Sequence, residues 1–369
     1  MENNIYIYDG IYTGHHISYA KGLIENTHNT ILILNKNMTD EFSDISSERL
    51  HVINCNDPSS YNNKVIGWLF NFYNLLKMKE LHNNSIHFTY ADNIIIFIYM
   101  FLLFYKGKKV FMTIHWANAV IPIKKASTII NKVYRSIKFN FFKKALSKTQ
   151  KIFVHGGYTK ELISHRYKTK KIVEIPYGIE EDNLGTKIKV LKKNNNDDQN
   201  ILFFGGIRKD KGIKKLALVA RENPQWKFTI AGNVGDYSIE EIQSFFNDCE
   251  NVILKLGYVN EEDIPNLFLS AAALILPYEY YFSGQSGPLT LAAKYQLPVV
   301  ASNVGDMGRD INLFKLGITA DNNDPKLLTM ALKVLIQKQG CFSENLQLYY
   351  ERGKWSRVGS LLEVEYSTN

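Results

Sequence analysis

The 369-residue chain holds three cysteines, Cys55, Cys249 and Cys341, none close to another in sequence. That sparsity excludes a disulfide framework and a CxxC metal or redox motif, and it suits a reducing compartment. Long apolar runs are also missing. The most apolar stretch, Ile94–Tyr105, is shorter than the roughly 20 residues a membrane-spanning helix needs, and it reads as a buried helix, with membrane contact as the lesser alternative. The opening MENNIYIYDG lacks a basic segment followed by an apolar one, so no signal peptide is expected and a cytoplasmic location is. There is no Asp-x-Asp and no group of ligating side chains at metal spacing, so no metal is expected. No repeat of about 20–50 residues is present, which excludes solenoids.

The composition that is present is that of an ordinary globular chain, 45% hydrophobic and 22% charged, long enough for two domains. The net charge of +8 suits an anionic partner, whether nucleic acid, an acidic membrane surface or a phosphorylated ligand, and a Lys- and Asn-rich codon bias contributes to it. Short apolar runs alternate with helical patterns, the mark of βαβ units and parallel sheets. Strands are expected at Ile5–Tyr8, Ile31–Leu34, Val52–Asn54, Ile86–Thr89, Val110–Ile114, Ile152–Val154 and Ile172–Ile175. A polar stretch, 180–199, reads as a linker. A second series follows at Ile201–Phe204, Phe228–Ile230, Val252–Leu256, Ala273–Leu276 and Pro298–Ala301. The expected organisation is two doubly wound α/β domains, 1–179 and 200–340, with 341–369 forming a helix that crosses back to the first. In such sheets ligands bind beyond the carboxyl ends of the strands, and two facing domains would place the site between them.

The segment FFGGIRKDKG, Phe203–Gly212, combines a strand, the Gly205-Gly206 turn, Arg208, Lys211 and a helix start. Glycine admits close backbone approach, a helix N-terminus offers free N–H groups, and Arg and Lys supply positive charge, so the unit suits a diphosphate. The alternative is a surface loop with two solvated bases. This segment resembles the family 4 retaining glycosyltransferases of the GT-B fold (glycosyl transferases group 1), whose second Rossmann-like domain opens in this way. Ile152–Tyr167 with Ile172–Ile179, Asn251–Tyr278 and Leu297–Met307 resemble further segments of that family in the same order.

The resemblance implies a nucleoside diphosphate sugar, UDP- or GDP-linked, as co-substrate with no cofactor, and Tyr258 on the segment flanking the nucleotide. Gly14 stands where the family has its glycine loop, and His115, in TIHWANAV, where it has a histidine on the donor sugar; the other reading of His115 is a structural histidine at a strand end. Arg208 and Lys211 would neutralise the departing diphosphate. One departure is clear: the family's Glu-x7-Glu positions fall on Ser283 and Leu291. In their place stands a small-residue turn, Ser283, Gly284, Gln285, Ser286 and Gly287, with Thr290 after it, which still suits phosphate and sugar hydroxyls. Glu279 upstream is a substitute acid or an exposed loop residue. The basic amphipathic stretch 121–148 is expected either to lie on the inner membrane near a lipid-linked or saccharide acceptor or to be simply solvated. No nucleic-acid module accompanies it. The implied activity is sugar transfer with retention in bacterial surface polysaccharide synthesis (O-antigen, capsule or exopolysaccharide). The rivals are a non-catalytic nucleotide-binding partner and a sugar-nucleotide epimerase of the same architecture.

Overall fold

A computed structural model describes residues 4–11, 15–122, 128–181, 200–320 and 324–368. Gly14, Lys124, Lys125 and nearly all of the expected linker lie outside the described residues. The chain divides into two units, Met1–Gly178 with Trp355–Asn369, and Ile179–Lys354. The crossing point at Lys354–Trp355 is later than the 340 boundary drawn from sequence: helix Ser343–Gly353 belongs to the second unit and helix Trp355–Ser367 to the first.

The first unit is built on a seven-stranded sheet of order β3-β2-β1-β4-β5-β6-β7, every pair parallel. Its strands are β1 (Ile5–Tyr8), β2 (Thr30–Asn35), β3 (Leu50–Ile53), β4 (Ser85–Phe88), β5 (Val110–Ile114), β6 (Lys151–Val154) and β7 (Ile172–Glu174). Side chains alternate between the faces of a strand, and both faces of the central strands β1, β4 and β5 are buried, which is why these strands are mostly apolar. Tyr6, Tyr8, Ile86, Phe88 and Met112 point into one core, with helices Lys64–Lys77, Ile95–Phe104 and Ile129–Lys148 above it. Ile5, Ile7, Leu32, Leu34, Phe111 and Phe153 point into the other, under helices His15–Glu25 and Trp355–Ser367. The C-terminal helix is seated by Trp355, whose indole fills the space over Gly22 and Gly178; a Cβ at either glycine would sit 2.2 Å from it. Tyr366 on the same helix bonds the buried His87 at 2.6 Å.

The second unit has a six-stranded parallel sheet of order β10-β9-β8-β11-β12-β13. The strands are β8 (Asn200–Phe204), β9 (Lys227–Gly232), β10 (Val252–Leu256), β11 (Ala273–Leu276), β12 (Val299–Ser302) and β13 (Gly317–Ala320). β13 is absent from the sequence reading. It is a four-residue edge strand opened by glycine, with no apolar run to mark it, and Gly317 is needed because a Cβ there would lie 1.9 Å from the Val299 carbonyl oxygen. In both sheets the order reverses beside the first strand, between β1 and β4 and between β8 and β11. That switch point leaves a crevice at the carboxyl ends of the flanking strands.

Candidate functional site

In the second unit, the loops leaving β8 and β11 meet at this switch point. Gly205 has φ +112° and Gly212 φ +69°. A Cβ on Gly212 would fall 1.8 Å from the Pro277 carbonyl oxygen, so the two loops touch only because that residue is glycine. The Glu279 N–H donates to the Asp210 carbonyl at 2.9 Å and closes the contact. A short 3-10 turn, Lys209–Lys211, precedes helix Ile213–Arg221, so the helix opens at Gly212.

Lys211 is buried in this junction, its Nζ 3.7 Å from the centre of the Tyr278 ring and 4.4 Å from that of Phe282. Burial, reinforced by the neighbouring Arg208, holds its ammonium well below the usual lysine range, with Asp210 opposing. The ring faces partly replace lost hydration. An arriving anion would restore the charge. Arg208 forks onto Asp210 through Nε at 3.0 Å and Nη2 at 2.8 Å, and this pairing is the first cause of its raised pKa. The guanidinium is thus held in one orientation while staying part-exposed.

The glycine-serine turn after β11 is less open than its sequence suggests. Ser283 and Ser286 are fully buried, and the Ser286 hydroxyl lies 3.0 Å from that of Tyr278. The Gln285 amide donates to Asp310 at 2.7 Å, which also accepts from Tyr349 at 2.7 Å, tying the turn to helices Gly305–Phe314 and Ser343–Gly353. Thr290 donates to the Gly287 carbonyl at 2.7 Å, a bond within its own helix. Gly287 is exposed where helix Gly287–Lys294 begins, with Ser286 making no capping bond through its side chain there. Glu279 is not an exposed loop acid: its Oε2 sits 3.0 Å from Lys215 Nζ, both part-buried. Tyr258 is 76% exposed and follows β10, two strands away, on the rim of a separate 520 Å³ cavity with Lys255 and Asp263.

The first unit has different chemistry at its switch point. His115 follows β5 and is buried, with Nε2 2.9 Å from the Thr89 carbonyl. A carbonyl only accepts, so Nε2 carries the proton and Nδ1 is left with its lone pair. The Tyr90 ring stacks on His115 at 3.7 Å with 6° between planes, and His155 lies 4.6 Å away. Burial, then His155, keeps the His115 pKa well below the ordinary imidazole value. His115 is therefore a neutral hydrogen-bonding group near pH 7 rather than a proton carrier.

Sequence reasoning missed its neighbours. Asp9, buried at the end of β1, pairs with His16 at 3.0 Å and accepts from Thr89 at 3.3 Å. Asp92 accepts from the N–H groups of His115 at 3.0 Å and Trp116 at 2.9 Å, anchoring the turn that carries His115. Burial pushes the Asp92 carboxyl up to about 6. A 490 Å³ cavity opens beside it, lined by Asp92, Trp116, Asn118, Tyr134, Arg135 and Lys138 among others. Among the described residues no group of three or more His, Cys, Asp or Glu could hold a metal ion.

With this geometry in hand, known proteins place the chain. Residues 198–338 match the family model described as "Glycosyl transferases group 1". The matched residues lie within the second unit. A curated D-inositol 3-phosphate glycosyltransferase from Paenarthrobacter aurescens (strain TC1) is 26% identical over 182 residues, 46% of this chain and 44% of the relative's length. The sucrose-phosphate synthase structure from Thermosynechococcus elongatus superposes with a TM-score of 0.75 at 15% identity, covering 99% of this chain and 98% of that one. Anabaena Alr3699/HepE, solved with UDP and glucose, superposes with a TM-score of 0.70 at 13% identity, covering 99% and 100%. The fold is GT-B. The glycosyltransferase match lies wholly on the unit that contains the Gly205–Gly212 and Ser283–Gly287 loops.

Proposed function

We propose that the protein is a glycosyltransferase that moves a sugar from a nucleoside diphosphate sugar to an acceptor hydroxyl. One observation carries this reading. A buried lysine, an oriented arginine and a helix opening at an exposed glycine converge where two loops meet at the switch point of a glycosyltransferase domain. Lys211 and Arg208 would hold the diphosphate and stabilise the charge that develops as it leaves, with N–H groups at the start of helix Gly287–Lys294 contributing. The Anabaena neighbour's UDP and glucose support a donor of this chemistry. His115 would offer Nδ1 as an acceptor for a sugar hydroxyl. Retention at the anomeric carbon, a saccharide or lipid-linked acceptor, a cytoplasmic setting and a role in bacterial surface polysaccharide synthesis complete the reading; they rest on the sequence resemblance.

The test is a thermal-shift screen of UDP- and GDP-sugars followed by assay of nucleoside diphosphate release. The wild type should be stabilised by one nucleotide. Arg208→Ala should lose that shift, and His115→Ala should keep it while turnover falls about a hundredfold. Nucleotide binding without turnover on any donor, with lipid-linked acceptors supplied, would favour the non-catalytic partner, a reading that Ser283 and Leu291 at the two family glutamate positions keep open.

A further inference from the structure

The helices over one face of the first sheet have an outer surface that a soluble protein does not need. Helix Lys64–Lys77 buries Trp68, Phe72 and Leu75, yet the residues pointing away from the core are Val65, Ile66, Leu69, Phe70 and Tyr73, each 44–55% exposed. Helix Ile95–Phe104, read from sequence as buried with membrane contact as the lesser alternative, carries no charge and exposes Met100, Leu103 and Phe104, the last by 68%. Helix Ile129–Lys148 exposes Ile129, Ile130, Val133, Tyr134 and Ile137, the first two by 79% and 80%. The helices are neighbours: Phe72 stacks on Phe97 at 5.9 Å, and Tyr99 meets Phe141 at 5.3 Å. Amphipathic helices on a soluble protein turn mainly polar residues outward; these turn large apolar residues outward among their lysines. A contiguous apolar surface of this kind marks a docking site.

The charge on the same helices identifies the occupant. They carry eight Lys or Arg residues and no Asp or Glu. A second copy of the chain would set these cations against an identical set, which opposes self-association. Apolar and aromatic residues mixed with basic ones of a single sign are what an interfacial helix presents to anionic lipid. Among the described residues no helix is long and apolar enough to cross a membrane, so the contact is lateral.

We infer that the surface formed by helices Lys64–Lys77, Ile95–Phe104 and Ile129–Lys148 docks the protein on an anionic bilayer. This extends the expectation drawn from the basic stretch alone: most of the apolar area comes from the two helices that stretch does not include. The cavity beside Asp92 is lined by Tyr134, Arg135 and Lys138 of the third helix, so a bilayer under this face would lie next to it. The inference goes beyond the transfer reading and does not depend on it.

The experiment is co-sedimentation with vesicles of phosphatidylcholine containing phosphatidylglycerol, beside pure phosphatidylcholine, with UDP thermal shift measured in parallel. The wild type should pellet with the anionic vesicles and be released by salt. Ile66→Gln/Leu69→Gln/Phe70→Gln should weaken partitioning at least about thirtyfold. Lys132→Gln/Lys143→Gln, both at exposed positions, should also weaken it about thirtyfold. Both variants should keep the wild-type melting temperature and whatever nucleotide shift the wild type has. The inference is overturned if the wild type does not prefer anionic vesicles, if either folded variant binds as the wild type does, or if the triple variant instead dissolves a dimer seen by sedimentation.

Discussion

The two sheets share a topology and differ in what they hold at the same place. At the carboxyl end of β8, the second unit puts glycines with positive φ, a buried lysine and an oriented arginine. At the carboxyl ends of β1, β4 and β5, the first unit puts stacked rings and buried carboxyls: Tyr90 on His115, His16 on Asp9, Asp92 under the His115 turn. One end gathers cationic side chains, the other rings and buried carboxyls. The same frame therefore carries two chemistries, and the difference lies in the loops. The family model covers the cationic end alone, since 198–338 lies within the second unit.

The largest effect expected from this contrast is in acid. His115, His155 and His87 are all depressed by burial, His155 to about 4 and His87 to about 3. Their unfolded counterparts titrate near 6.5, so as pH falls below that value the unfolded chain gains protons the folded unit refuses, and stability is lost until the folded values are reached. Asp92 works the other way, gaining as pH falls through about 6, and the raised Asp9 adds in that direction. Three histidines against two carboxyls leave about one net proton, so the first unit should lose roughly 1.4 kcal/mol per pH unit between about pH 6.5 and 4.5. The second unit holds no histidine at all within 179–354, so this loss should be confined to the first. Hydrogen exchange read separately on β4–β6 and β8–β12 peptides checks this. Equal loss in both units would mean the imidazoles are not held neutral.

This contrast also sets what the sequence could reveal. All seven strands of the first sheet and five of the six in the second were legible, because parallel strands in a covered sheet are short and mostly apolar between polar loops. The strand, glycine turn and helix start of Phe203–Gly212 were legible because they are contiguous in sequence. The ring cluster was not, since Tyr90, His115 and His155 come from three separate loops and only the sheet brings them together. Nor could composition show that Met100, Leu103 and Phe104 face solvent: an apolar helix reads the same whether a protein or a bilayer covers it. The ion pair of Glu279 was not legible because its partner Lys215 sits two helices and three strands earlier.

A middle-sized effect would sharpen the cationic side of the comparison. Lys211 is charged in the unfolded chain and disfavoured as a cation in the folded one, so its burial costs stability at neutral pH, and that cost lifts as pH rises towards 10.5. Lys211→Met keeps the volume beside Tyr278 and Phe282 and removes the charge. Its melting temperature without ligand should rise at pH 7, and the wild type's gain in stability at alkaline pH should vanish. Its affinity for a nucleoside diphosphate should fall about a hundredfold, as for loss of one charge-assisted contact. Calorimetric titration with UDP and GDP reads both. A less stable variant that binds normally would place the diphosphate elsewhere.

The smallest effect belongs to Tyr258, and it tests whether the cationic end extends past the switch point. The residue follows β10 rather than β8 or β11, stands 76% exposed beside Gly257 (φ +129°), and borders its own cavity. An exposed ring contributes little to folding, so Tyr258→Ala should leave the melting temperature within about 1 °C. If the nucleotide's base reaches across β9 to that cavity, stacking on the ring is worth roughly 1 kcal/mol, and nucleotide affinity should drop about fivefold. Inorganic diphosphate, which has no base to stack, should bind the variant and the wild type alike. A loss shared by diphosphate and nucleotide would mean the substitution disturbs the β10 loop itself. No loss with either would confine the donor site to the loops after β8 and β11.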